Sequence, residues 1–132
     1  MARGFCNDMT DDVFGEKLEG VQVPSVPIPN TENVISYTDR GSVKVGNLHY
    51  VAMELRIGNL QAGTWHVIAN VPEPVSLHNN IRFNTFIFNG TILIPTAGNI
   101  NTLGQIEVYI PPATQLGSNN GLNLNFWYNN IN

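Results

Sequence analysis

Charge is what this chain has least of. Asp, Glu, Lys and Arg make up 12% of its 132 residues, about half the usual ~25%. No basic stripe runs along any segment and the net charge is −4, so a phosphate backbone finds no footprint and nucleic acid is not an expected partner. A single cysteine, Cys6, excludes an internal disulfide and leaves compactness to packing or assembly. No apolar run approaches the ~20 residues of a membrane-spanning helix, so no membrane insertion is expected. Met1-Ala2-Arg3-Gly4-Phe5 opens no secretory leader, and synthesis in a cytoplasm is the expectation. Cys6 and the three histidines, His49, His66 and His78, have no metal-ligand spacing. No Gly-x-Ser-x-Gly turn, phosphate loop or Cys-x-x-Cys pair occurs. No metal, cofactor or catalytic residue is therefore assigned.

Hydrophobic content is an ordinary 42%, and nineteen of the residues are asparagine, so amides carry the polarity that ions usually carry. Amides offer donors and acceptors without charge, which suits hydroxyl-rich or neutral partners. Low charge beside ordinary apolar content also points to a surface partly covered in an assembly.

Residues 1–35 read as an N-terminal arm. In its first nineteen residues Asp8, Asp11, Asp12, Glu16 and Glu19 face only Arg3 and Lys17. Thr10 is placed to cap a short helix whose apolar side is Val13, Phe14 and Leu18, ending at Gly20. Pro24, Pro27 and Pro29 then forbid a helix and favour an extended segment. That segment is either a stiff spacer or a strap laid against a neighbouring subunit.

From Val34 the apolar period becomes two, the mark of half-buried strands. Val51, Met53, Leu55 and Ile57 alternate with Tyr50, Ala52, Glu54 and Arg56. Trp65, Val67, Ala69 and Val71 alternate with His66, Ile68 and Asn70. Ile81, Phe83, Thr85 and Ile87 alternate with Arg82, Asn84, Phe86 and Phe88. Asn89-Gly90 predicts a type I′ hairpin, with the returning strand halted at Pro95. Gln105–Ile110 follows, and Leu122, Leu124, Phe126 and Tyr128 close the chain against Asn123, Asn125, Trp127 and Asn129. Some eight short strands with turns every 8–12 residues predict an all-β fold, an antiparallel β-sandwich of jelly-roll-like type over residues 36–132.

Flat, partly polar rings beside amides make the candidate ligand surface: Trp65, Trp127 and Tyr109 with Asn79, Asn80, Asn125 and Asn129. Tyr50, Tyr128, Asn123 and Asn130 share those chemistries. The same rings also serve as subunit contacts in any assembly. Cleavage of a sugar bond is the remote alternative, because it needs two of Asp39, Glu54, Glu73 and Glu107 to meet across a cleft.

The segment Leu60-Gln61-Ala62-Gly63-Thr64-Trp65-His66-Val67-Ile68-Ala69-Asn70-Val71-Pro72 resembles a phrase of C-terminal head domains. Those heads belong to tail-fibre, receptor-binding and baseplate proteins of phages infecting Gram-positive bacteria. Asn89-Gly90-Thr91-Ile92-Leu93-Ile94, Ala97-Gly98-Asn99-Ile100 and the closing Trp127-Tyr128 follow in the same order, over residues 40–132. The resemblance implies a jelly-roll head, a homotrimer, a place in the virion, docking on other virion proteins through the arm, and a host cell-wall saccharide as ligand. An arm of thirty-five residues replaces the family's long stem, which suits a small accessory tip, or a short fibre on capsid or baseplate. A decoration or adaptor protein without receptor binding is the other structural reading.

Overall fold

Alternating residues become strands throughout. In a computed structural model of the protein, which describes residues 22–73 and 79–129, ten strands form: β1 (Gln22–Pro24), β2 (Ile28–Pro29), β3 (Val34–Asp39), β4 (Val43–Val45), β5 (Leu48–Ile57), β6 (Thr64–Asn70), β7 (Ile81–Phe88), β8 (Leu93–Ile100), β9 (Gln105–Ile110) and β10 (Asn120–Asn129). Eight of them follow Val34. The helix expected from Thr10 to Gly20 lies outside the described residues, as do Cys6, Pro74, His78 and Asn130.

Every pairing is antiparallel. One sheet runs β1-β4-β5-β10-β7-β8-β9-β6-β2, with β3 also on β5. β5, β7 and β10 stand in one half and β6, β8 and β9 in the other, so the chain changes half at each step from β5 to β8 and again from β9 to β10. Inward side chains from both halves meet in a single cluster: Leu55 and Ile57, Ile87, Leu122 and Leu124 against Ile68, Ile100, Ile106 and Ile110. The sheet therefore curls over its own apolar face, giving the expected antiparallel, sandwich-like all-β fold from one sheet rather than two. Burying each of these aliphatic side chains contributes roughly 1.5–3 kcal/mol. β10 sits at the centre, paired with β5 along its whole length from Asn120↔Ile57 to Asn129↔Leu48.

Four local expectations are corrected. The proline-rich segment is not a free spacer but is laid on its own sheet. β1 pairs at one margin of the sheet and β2 at the other, so residues 22–29 cross between the margins of their own sheet. Ser25 and Pro27 are buried there, and Ser25 N donates to Ser42 O at 3.0 Å while Asn30 N donates to Ile68 O at 2.9 Å. Pro95 does not halt its strand. β8 pairs with β7 from Leu93 to Ile100 but with β9 only from Gly98 to Ile100, so Pro95 lies beyond that second ladder, where a missing N–H breaks no bond.

The β7–β8 hairpin is a four-residue loop, not a two-residue type I′ turn. Gly90 alone takes positive φ, at 97°, and Asn89 Oδ1 accepts from Thr91 N and Ile92 N at 2.9 and 3.0 Å. Finally, β6 carries a bulge between Val67 and Ala69. The extra residue breaks the alternation, so Trp65 and Val67 lie outward beside Tyr109 and Glu107 while Ile68 and Ala69 are both buried.

Candidate functional site: a groove along the outer face of β10

The alternation of β10 sends Leu122, Leu124, Phe126 and Tyr128 inward and leaves Gly121, Asn123, Asn125, Trp127 and Asn129 on the outer face. On the β5 side the ladder is complete. On the β7 side it is short: Gly121, Leu122 and Asn123 pair with Phe88, Ile87 and Phe86, and the strands then part. Thr85 Oγ1 donates to Asn123 O where the ladder ends. The parting leaves a shallow depression of about 400 Å³ lined by Arg40, Ala52, Asn84, Phe86, Asn123 and Asn125. A second depression, about 190 Å³, continues past Phe86 and Asn123 to Phe88, Leu93, Gly121 and Arg56. Asn123 and Phe86 line both, and they face each other directly across the two strands.

The polar groups of this face are set by neighbours. Tyr50 Oη donates to Asn125 Oδ1 at 2.8 Å, and the Tyr50 ring packs on Trp127 with centroids 4.6 Å apart at 36°. Trp127 remains 56% exposed. Arg40 Nη2 donates to Glu54 Oε1 at 2.8 Å, and that bond, with the nearby Arg40 and Arg56 charges, holds the Glu54 carboxyl below its usual range. Amides, rings and the Arg40–Glu54 pair make the Asn123–Asn125 part of this face a surface for hydroxyls and C–H faces.

Of the residues singled out in the sequence, Asn125 lines this groove, Trp127 is the next outward residue along β10, and Asn129 lies beyond Trp127 opposite Leu48. Trp65 and Tyr109 also come together, centroids 5.3 Å apart at 53°, but on the β6/β9 half of the sheet. Arg82 lies over the Trp65 ring at 5.1 Å, its Nε bonded to Asn99 Oδ1 at 3.0 Å. Asn79 and Asn80 are exposed just before β7, at the far end of that strand from Phe86. Tyr128 is a core residue stacked on His49, 4.7 Å apart at 12°, and burial pushes its phenol pKa up. Arg40, Asn84 and Phe86 were not singled out. Asn84 and Phe86 do stand on the outward parity of β7, which is the signal that would have found them.

Elsewhere the amides serve the backbone. Asn120 is fully buried; its Nδ2 reaches the carbonyls of Ile57, Gly58 and Gly117 at 2.9–3.0 Å. Asn101 Oδ1 accepts from Leu103 N and Gln105 N, and Asn33 Nδ2 donates to Val67 O.

The four candidate carboxylates are each engaged separately. Asp39 accepts from Gly41 N and Ser42 N, Glu54 pairs with Arg40, Glu73 pairs with Lys44, and Glu107 accepts from Asn99 and Asn101. The Lys44 contact lowers the Glu73 pKa, so Glu54 and Glu73 both shift away from the raised value a general acid needs. No cluster of His, Cys, Asp and Glu able to hold a metal occurs among the described residues. No described helix is long and apolar enough to cross a membrane.

No family model, curated protein or solved structure matches the chain.

Proposed function

We propose that this protein is a non-catalytic binding head that holds a saccharide on the outer face of β10, as the terminal module of a small virion fibre. The carrying observation is the groove in which the outward amides of Asn84, Asn123 and Asn125 stand beside the Phe86 ring and the Tyr50–Trp127 pair. Amides match sugar hydroxyls, and ring faces take sugar C–H faces. In this reading three heads assemble, the arm docks on another virion protein, and a host cell-wall glycan is the ligand. Each site is shallow and weak, and multivalency raises avidity by ~10²–10⁴. The assembled particle is expected to be retained by a glycan array and by isolated cell walls. Absence of retention on both refutes the reading.

One observation favours a purely structural role in the virion. Phe86, Phe88, Ile92 and Leu93 are exposed around the β7–β8 hairpin, an apolar patch of the kind that subunit contacts cover. Protection of Phe86 and Asn123 from solvent on assembly would select that role over ligand binding.

A further inference from the structure

The two depressions adjoin along the outer face, both bounded by the same Asn123–Phe86 pair. Together they follow the outer residues of β10 in line, Gly121, Asn123 and Asn125, and Trp127 is the next outward residue beyond them. At ~3.3 Å per residue, the lined stretch from Gly121 to Asn125 is about 13 Å long, more than a single sugar ring fills. Its composition is graded. The Trp127 end is amide and aromatic, with Asn125 held by Tyr50. The opposite end adds apolar surface beside Arg56 and Glu54, with Phe88 and Leu93 directly paired and Phe88 also opposite Gly121. Gly121 lacks the side chain that would fill this part of the groove, and a Cβ there would meet Arg56 Nη1 at 3.5 Å and Phe88 Cβ at 3.8 Å.

At the junction an amide and an aromatic ring lie side by side, and an N-acetyl substituent satisfies both with one group, its amide on the asparagine and its methyl on the ring. From this we infer that the groove takes an extended glycan chain bearing N-acetyl groups, with one acetamido group seated between Asn123 and Phe86. The inference rests on the saccharide-binding function proposed above and adds chain length and substituent to it. The acetamido N–H and C=O meet the Asn123 side chain, and the methyl lies on Phe86 toward Phe88. Further units run toward Asn125 and Trp127. Arg40, matched by Glu54, borders the path without demanding an anionic unit.

The test titrates the full chain with N-acetylglucosamine oligomers (chito-oligosaccharides) of increasing length and with glucose oligomers of the same linkage (cello-oligosaccharides). Affinity for the first series is expected to rise about three- to tenfold per added unit until the groove is filled, then level off. Side-chain amide NMR signals of Asn84, Asn123 and Asn125 should shift, while those of Asn99 and Asn101 should stay. Phe86→Ala, at an exposed position, should erase the preference for the acetylated series, and Trp65→Ala on the other half should leave it intact. Equal affinity for monomer and oligomers overturns the extended-chain inference while sparing saccharide binding. Equal affinity for the two series overturns the acetamido seat alone. Failure to bind either series, with no retention on the glycan array, removes both the inference and the function it rests on.

Discussion

Replacing Asn120 by alanine separates amides that hold the fold from amides that face a partner. Asn120 opens β10 with no exposed surface. Its two amide hydrogens are shared among three carbonyls, Ile57 O and Gly58 O at 3.0 Å and Gly117 O at 2.9 Å, and its Oδ1 accepts from Gly117 N at 2.8 Å. Alanine deletes two donated bonds and one accepted bond. At roughly 0.5–1.5 kcal/mol net for each, plus the desolvation left on stranded partners, the loss is about 2–4 kcal/mol. A domain of this size has ~5–15 kcal/mol in all. In urea, where the slope is ~1–3 kcal/mol per molar, the unfolding midpoint should fall by roughly 1–2 M. Asn125→Ala is the matched control: its exposed amide meets the Tyr50 hydroxyl at the surface, and its removal should stay within about 0.5 kcal/mol. Equal midpoints for the two variants would refute the division of the asparagines into two kinds.

Gly98 lies directly opposite Phe83, whose ring is stacked on Phe126 at 3.8 Å. A Cβ at Gly98 would overlap the Phe83 ring, so Gly98→Ala should cost about 1–3 kcal/mol in thermal or urea unfolding. Adding Phe83→Leu to the same chain should recover part of that loss, and simple addition of the two single costs would refute the clash. Burial lowers the pKa of His49 below its ordinary 6.5, with Glu73 opposing and Lys44 adding. The unfolded chain therefore takes the proton first, stability is full above pH 6.5 and declines below it, and a His49→Gln variant with the same decline would disprove the assignment. Tyr128 has the opposite sign: its phenol stays protonated above the ordinary 10.0, so stability should fall as pH rises past 10. Tyr128→Phe should flatten that alkaline limb, and an unaltered limb would exclude Tyr128 as its source.

Parity was legible in the sequence wherever a strand is regular, and long-range pairing was not. The inward and outward sets of β5, β7 and β10 follow directly from alternation, and Asn123, Asn125 and Trp127 share a face for that reason. β6 defeats the same rule because one bulged residue between Val67 and Ala69 reverses the side on which Trp65 stands, and the sequence carries no marker for it. Pro95 misleads differently. A proline forbids a bond only where a partner strand is present, and the short β9 ladder is a tertiary fact. The destination of the proline-rich segment is tertiary as well: its stiffness reads from Pro24, Pro27 and Pro29, but the two margins it joins exist only once the sheet has curled. The groove needed both kinds of information. Its β10 wall is pattern, whereas its β7 wall depends on a ladder that stops at Asn123.

Why the groove amides are available for a partner follows from where backbone groups are already satisfied. In loops and at strand ends, N–H and C=O groups lack ladder partners, and a nearby asparagine is drawn into bonding them. Asn89, Asn101 and Asn120 all do so. In the middle of β10 the backbone is laddered to β5 on one side, and where β7 departs, Thr85 supplies the bond to Asn123 O. An outward asparagine there finds little backbone to serve. Its amide bonds water, a neighbouring side chain such as Tyr50, or whatever occupies the groove. Ordered water released by a ligand must then be replaced by groups of the same directionality, which favours hydroxyls and amides over apolar surface along the Asn123–Asn125 stretch. The apolar preference belongs to Phe86 and Phe88, one strand away. A ligand able to use both must alternate the two chemistries along its length, as an N-acetylated sugar chain does and a bare hydrocarbon or a polyphosphate does not.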